Sequence, residues 1–266
     1  MTMTLIPRLP LFTVLLAGCP AYPVLPDAAG SESSSSSTGD VDPPGGVPTG
    51  TDTDDAPGPG TTGLAPFCGD GIVNQDFEEC DDGSPNPDGP CSPLCQRERI
   101  IFVLSLKLNG KLSGLQGADA YCRSQASKAQ EADPASPIKD AKNFKALLPS
   151  STETIFERHF RGEGRYRLIN GLTVSYGFNR LFSEPLQVAI NVDEFGQTHN
   201  TSVWTASTAD GQPYPGVDFC GDWSGVKGSA SRGRSDRMDA WWIEVPLGQP
   251  TMDCAENWAL YCVEQQ

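Results

Sequence analysis

The placement of nine cysteines constrains this chain more than any other feature of its sequence. Cys19 stands alone at the end of a short apolar run. Cys68, Cys80, Cys91 and Cys95 form one cluster, and Cys122, Cys220, Cys254 and Cys262 form a second, more widely spaced set. With Cys19 set aside, eight remain, and an even count in an exported chain reads as two separate disulfide frameworks. Within residues 68–95 the pairing stays open, since four cysteines allow three connectivities. Zinc is the competing use of those thiols, but there is no close C-x-x-C pair and an exported chain would sit in an oxidising compartment.

The export argument comes from the N-terminus. Arg8 precedes Leu9-Pro10-Leu11-Phe12-Thr13-Val14-Leu15-Leu16, too short to span a bilayer and of the length of a signal-peptide core. The run ends in Leu16-Ala17-Gly18-Cys19, which resembles the bacterial lipobox. The resemblance implies a signal peptide over 1–18, cleavage before Cys19 and a diacylglycerol on its thiol. The expected location is the cell envelope, with the protein held by lipid at the outer membrane or cell surface.

Beyond Cys19 the composition changes sharply. Residues 20–66 carry seven acids and no base, runs of Ser, Thr, Pro and Gly, and almost no large apolar side chain. Such a segment buries too little surface to offset its backbone entropy, so residues 19–66 are expected to be a disordered acidic linker. As a flexible coil, residues 20–66 would span roughly 35–40 Å on average. The chain carries a formal charge of −15, but residues 99–266 hold nineteen acids against seventeen bases and are close to neutral. That balance argues against nucleic acid as a partner and gives no attraction to an anionic membrane surface.

Residues 67–98 contain Cys68-Gly-Asp-Gly, then Glu79-Cys80-Asp81-Asp82-Gly83, then Asp88-Gly-Pro-Cys91-Ser-Pro-Leu-Cys95-Gln96. This order of cysteines, glycines and acids resembles one copy of the Myxococcus-type cysteine-rich repeat, with Ser84 in place of the usual asparagine. Only Ile72, Val73, Phe77 and Leu94 are available for packing, so two disulfides, each worth about 2–4 kcal/mol, are expected to supply much of its stability. Asp70, Glu79, Asp81, Asp82 and Asp88 lie beside glycines and cysteines, where a stapled loop could gather their oxygens around calcium. The competing reading is solvated Asp-Gly turns.

From Arg99 onward the pattern is mixed. Ile100–Leu106 reads as a buried strand, and Ala118 to Ala129 follow helical spacing that puts Cys122, Gln125 and Ala126 on the inward face. Phe144–Leu148 reads as a second short strand, and apolar runs recur at 203–206, 240–245 and 258–263. Between Pro149 and Ser202 the pattern is irregular. The residues Gly114-Leu115-Gln116-Gly117-Ala118-Asp119-Ala120-Tyr121-Cys122, Val203-Trp204-Thr205, Phe219-Cys220-Gly221-Asp222-Trp223 and Leu260-Tyr261-Cys262 resemble bacterial C-type-lectin-like and endostatin-like domains. The expected fold class is therefore α+β: a lectin-like domain over 99–266, preceded by the small disulfide-rich repeat and the linker. The resemblance also implies bridges from Cys122 to Cys262 and from Cys220 to Cys254.

A fold of this kind does not fix function. Calcium-dependent lectins carry Glu-Pro-Asn or Gln-Pro-Asp and Trp-Asn-Asp; this chain has Glu184-Pro185-Leu186 and Thr251-Met252-Asp253-Cys254 instead, so a calcium-bridged sugar site is not expected there. Candidate ligand contacts are Asp222 and Trp223, for hydrogen bonding and stacking. Arg232, Arg234 and Arg237 sit in a Gly/Ser-rich stretch that reads as a loop able to grip carboxylate or sulfate. A tryptophan beside a disulfide is more often core, and the arginines have Asp236 and Asp239 nearby. His159 and His199 stand far apart, with no H-E-x-x-H and no G-x-S-x-G turn, so no enzyme is expected. The binding chemistry is expected in the irregular 149–240 region, facing an extracellular glycan or a surface protein.

Overall fold

A computed structural model describes residues 68–74, 78–84, 91–92, 94–245 and 251–266. The proposed signal peptide, Cys19, the linker and Asp88 lie outside the described residues. Those described belong to one compact unit, of mixed α/β architecture around an eight-stranded sheet. Among them no helix is long and apolar enough to cross a membrane.

The sheet is organised about two strands. β1 (Arg99–Val103) pairs antiparallel with the last strand, β8 (Ala259–Glu264), matching Phe102 with Cys262. Beyond β1 come β3 (Arg165–Arg167), parallel to it, and β4 (Thr173–Tyr176). Beyond β8 come β5 (Ser202–Trp204), parallel, then β6 (Ser229–Arg234) and β7 (Thr251–Asp253), both antiparallel. The short β2 (Phe144–Ala146) also pairs with β8. Pairing of the first and last strands ties the two ends of the domain together.

The continuous apolar run of β1 follows from burial on both faces. Ile100, Phe102 and Leu104 join Leu260 and Cys262 in one core with the long helix, while Ile101 and Val103 join Tyr261 and Val263 in a second core under the irregular centre. The helix, α1 (Gly114–Ala132), buries Ala118, Asp119, Cys122, Gln125, Ala126 and Ala129, a stripe at helical spacing. Gly117 is required at its first turn, because a Cβ there would lie 1.9 Å from the Leu112 carbonyl oxygen. The Cys122–Cys262 disulfide fixes α1 to β8, and Cys220–Cys254 closes the loop region before β7. These are the two pairings the resemblance implies. Within the cysteine-rich segment the bridges are Cys68–Cys95 and Cys80–Cys91.

In the apolar run at 240–245, Ala240–Trp242 forms a single 3-10 turn capped by the Asp239 carboxylate, with Trp242 and Ile243 buried and Trp241 exposed. One sequence expectation changes. Three of the four apolar residues expected to pack the cysteine-rich segment, Ile72, Val73 and Leu94, are 61, 56 and 63 % exposed. The interior of that segment is instead Cys91 and Cys95, with carboxylates holding backbone N–H groups.

Candidate ligand-binding site

The irregular centre positions its groups through two short devices. After Pro149, the segment Ser150–Glu153 turns back on itself, with Ser150 N–H donating to the Glu153 carbonyl. The single-turn helix α2 (Ile155–Arg158) follows, started by a capping box in which Thr154 and Glu157 satisfy each other's backbone N–H. This turn delivers Arg158 to the inward-facing Asp119 of α1, and the two form a buried ion pair. Burial pushes the Asp119 carboxyl up, against the pull of Arg158 and of the Ala146 N–H it accepts.

The second device is a left-handed turn. Phe219, Cys220, Gly221, Asp222 and Trp223 have φ of 51, 56, 60, 51 and 63° in succession. For an L-residue that conformation costs about 1–2 kcal/mol each and is rarely repeated, so the surroundings must hold it. They do so at four points. Cys220 is bonded to Cys254; the Trp223 indole N–H donates to the Pro149 carbonyl at 2.7 Å; the Trp223 carbonyl accepts Leu112 N–H at 2.8 Å; and the Asp218 carboxylate accepts Cys220 and Ser229 N–H. With Trp223 buried below, Asp222 is presented outward and accepts both the N–H and the hydroxyl of Ser151, at 2.8 and 2.7 Å.

Between these devices and the N-terminus of α1 lies an open cleft of about 440 Å³ whose walls include Gln116, Ser150, Thr152, Glu153, Arg158 and Asp222. Its polar groups are mixed: the Glu153 carboxylate, the Gln116 carboxamide and hydroxyls, beside an Arg158 guanidinium paired with Asp119 and an Asp222 carboxylate paired with Ser151. The first turn of α1 adds backbone N–H groups with no acidic side chain and no side-chain cap. Such a lining suits a neutral, hydroxyl-rich ligand, which offers donors and acceptors in equal measure.

Of the residues expected to contact ligand, Asp222 lines this cleft and the others do not. Trp223 is fully buried, its ring edge-on to Trp204 at 6.2 Å, and is core. The arginines are not in a free loop: Arg232 and Arg234 belong to β6. Arg232 donates to the Ser202 hydroxyl and lies over Trp258, 5.8 Å from its ring centre. Arg234 makes a two-pronged contact with Asp236 (2.9 and 2.8 Å), and Arg237 does the same with Asp239 while covering Trp241. Two of the three guanidinium charges are therefore already matched by carboxylates two residues on. The sequence reading missed Gln116, Ser151, Glu153 and Arg158; the Thr154-x-x-Glu157 capping signal just before Arg158 was the readable clue.

Among the described residues, the acids of the cysteine-rich segment are turned toward backbone donors. Asp81 accepts N–H from Gly69, Asp70, Gly71 and Gly83. Desolvation pushes its carboxyl up, but those four N–H donors outweigh it and hold it below the usual range. Asp70 caps Ile72 N–H, Asp82 takes Ser84 and Cys91 N–H, and Glu79 is held by Arg99. The closest grouping of possible ligands is Glu78, Asp81 and Cys95, and the Cys95 sulfur is spent in a disulfide. These oxygens already satisfy backbone donors, so the residues do not fit a calcium site as they stand.

Each histidine has a partner within the fold. His159 is buried, stacked on Phe178, with Nδ1 on the Ile155 carbonyl, and burial together with the nearby Arg158 and Lys145 charges lowers its pKa to about 3. His199 Nε2 meets Asp193 at 2.8 Å. The adjacent Glu194 is buried and spent on Ser105, whose N–H and hydroxyl it accepts. Among the described residues no hydroxyl or thiol is hydrogen-bonded to either imidazole. Compared with protein-family models and with curated proteins, the chain matches none.

Proposed function

We propose that this chain is a non-catalytic recognition protein of the cell envelope, held by lipid on Cys19 and presenting a C-type-lectin-like domain to an extracellular glycan or matrix ligand. The lectin-like reading is supported by the order of parts: a first strand paired with the last, a helix stapled to that last strand, and an irregular centre closed by a second bridge. The observation that carries the recognition reading is the cleft around Asp222. A strained turn is held there by a disulfide, a buried indole and a carboxylate, and strain of that kind persists where the surroundings over-determine it, often at ligand clamps.

The test is a glycan array probed with the purified, oxidised chain beside its Asp222→Ala variant. Saturable binding to neutral glycans that the variant loses establishes recognition at this cleft; binding that the variant retains moves the site elsewhere. Lipidation is tested separately, by the mass of the mature N-terminal peptide and by release of a Cys19→Ser variant from the membrane fraction.

A second reading, a protein-docking component of a surface assembly, is favoured by the exposed Ile72, Val73 and Leu94 of the cysteine-rich segment. A chain that binds no glycan, and whose envelope partner is lost on Ile72→Asp/Val73→Asp substitution, would support it.

A further inference from the structure

The arginines singled out from sequence are matched internally, yet the domain keeps cations that are not. Arg99, Arg158, Arg165, Arg167, Arg234 and Arg237 each face a carboxylate. Arg123 on α1, whose charge also pulls on the Asp119 carboxylate one turn before it, and Lys142 in the 3-10 turn Ala141–Asn143 form no ion pair among the described residues, and Lys145 on β2 donates to the Arg158 carbonyl at 2.8 Å rather than to an acid. Lysine has three donors, so Lys145 keeps two. All three line one groove of about 380 Å³, with Asn143, Phe160, Gln265 and Gln266, and no Asp or Glu side chain lines it.

The surroundings explain why the charge stays available. Asp140, the nearest acid in sequence, turns its carboxylate onto the Lys142 backbone N–H at 2.9 Å. Asp119 is committed to Arg158 and to Ala146 N–H. Gln265 spends its side chain on Phe160 N–H and the Val263 carbonyl, and Asn143 donates to the Gln266 main-chain oxygen. The groove therefore offers cationic donors beside the Phe160 ring, which Arg99 covers on one side, and beside the Gln266 main-chain oxygen that Asn143 already engages. The chain's net charge of −15 does not cancel this locally, because at physiological salt charges more than about 8 Å away are largely screened.

We infer that the Arg123–Lys142–Lys145 groove binds an acidic polysaccharide, its carboxylate or sulfate groups held by the three cations. The inference rests on the recognition reading above and adds a second subsite, selective for negative charge and lined by different residues, apart from Asp222 and its neighbours. Charge-assisted contacts from Arg and Lys are the strong ones for carboxylate and sulfate.

The experiment is calorimetric titration of the oxidised full chain with oligogalacturonate, with neutral dextran oligomers and with vesicles of phosphatidylglycerol and phosphatidylcholine. Oligogalacturonate is expected to bind saturably and to weaken as NaCl rises. The Arg123→Ala/Lys142→Ala variant, altered at two groove cations that form no direct ion pair, should bind at least about tenfold more weakly. Arg234→Ala/Arg237→Ala should bind as the parent does. Equal binding by the double variant overturns the inference, as does binding to the vesicles through these residues without binding to the oligosaccharide. If neutral glycans bind through Asp222 while oligogalacturonate does not, the subsite falls and the recognition reading stands. If no glycan of either kind binds, both fall.

Discussion

Arg99, at the start of the first strand, holds both carboxylate oxygens of Glu79 in the cysteine-rich segment, at 2.8 and 2.7 Å, with the arginine side chain only 2 % exposed and the glutamate 22 %. The same guanidinium donates to the Gln265 and Arg97 carbonyls and lies over the Phe160 ring. One side chain thus joins the cysteine-rich segment, the first strand and the end of the last.

Removing the acid from that pair leaves a buried charge with its remaining partners only. Glu79→Gln is therefore expected to lower unfolding stability by about 3 kcal/mol, near the low end for breaking a buried ion pair. Urea unfolding followed by tryptophan fluorescence measures it. An unchanged midpoint would mean that the cysteine-rich segment adds nothing to the stability of the domain.

The left-handed turn depends on its bridge. A Cys220→Ala/Cys254→Ala variant loses a cross-link over 34 positions, which is worth about 2–4 kcal/mol, and should also lose Asp222-dependent binding while still folded. A gentler probe is Gly110→Ala, whose added methyl would lie 2.5 Å from the Cys220 sulfur and 3.0 Å from Cys254 Cβ. It is expected to destabilise the turn without removing the bridge. A thermal melt with free-thiol quantification separates the two effects, and a parent-like Gly110→Ala melt would show that the turn can shift to admit the methyl.

His159 predicts the sign of a pH effect. Its pKa is lowered from 6.5 to about 3 by burial, with Arg158 and Lys145 adding to it. The unfolded chain takes up a proton that the folded chain refuses, so this residue's contribution is complete above pH 6.5 and is lost as pH falls toward 3. The slope is up to about 1.4 kcal/mol per pH unit. Glu194 and Glu264, raised by burial, act in the opposite sense, favouring the fold at low pH. The clean readout is the difference between parent and His159→Phe, which keeps an aromatic ring against Phe178. The variant should gain on the parent as pH falls from about 6.5 to about 4; a difference independent of pH would refute the assignment.

Asp81 organises the cysteine-rich segment by gathering four backbone N–H groups. Asp81→Asn keeps the shape and removes the charge, so limited proteolysis around residues 69–83 should accelerate. Millimolar calcium should leave the proteolysis rate of the parent unchanged, because the ion would have to displace those donors. Protection by calcium would reopen the metal reading.

Amino-acid order alone was enough for the parts whose signal is periodic or covalent. The unbroken apolar run of β1, the inward stripe of α1 at Cys122, Gln125, Ala126 and Ala129, and the even count of cysteines were all legible, because each is a local repeat or a simple tally. Direction and partnership emerged only from the packed fold. Trp223 turns into the core because a left-handed turn, held by Cys254 far along the chain, leaves only Asp222 facing outward. The matching of Arg234 and Arg237 by Asp236 and Asp239, by contrast, lies two residues along the chain and was open to a sequence reading. The Asp222–Ser151 contact spans 71 positions and the Arg158–Asp119 contact 39. Such pairs carry no local pattern, since both members are ordinary surface residue types until the fold brings them together.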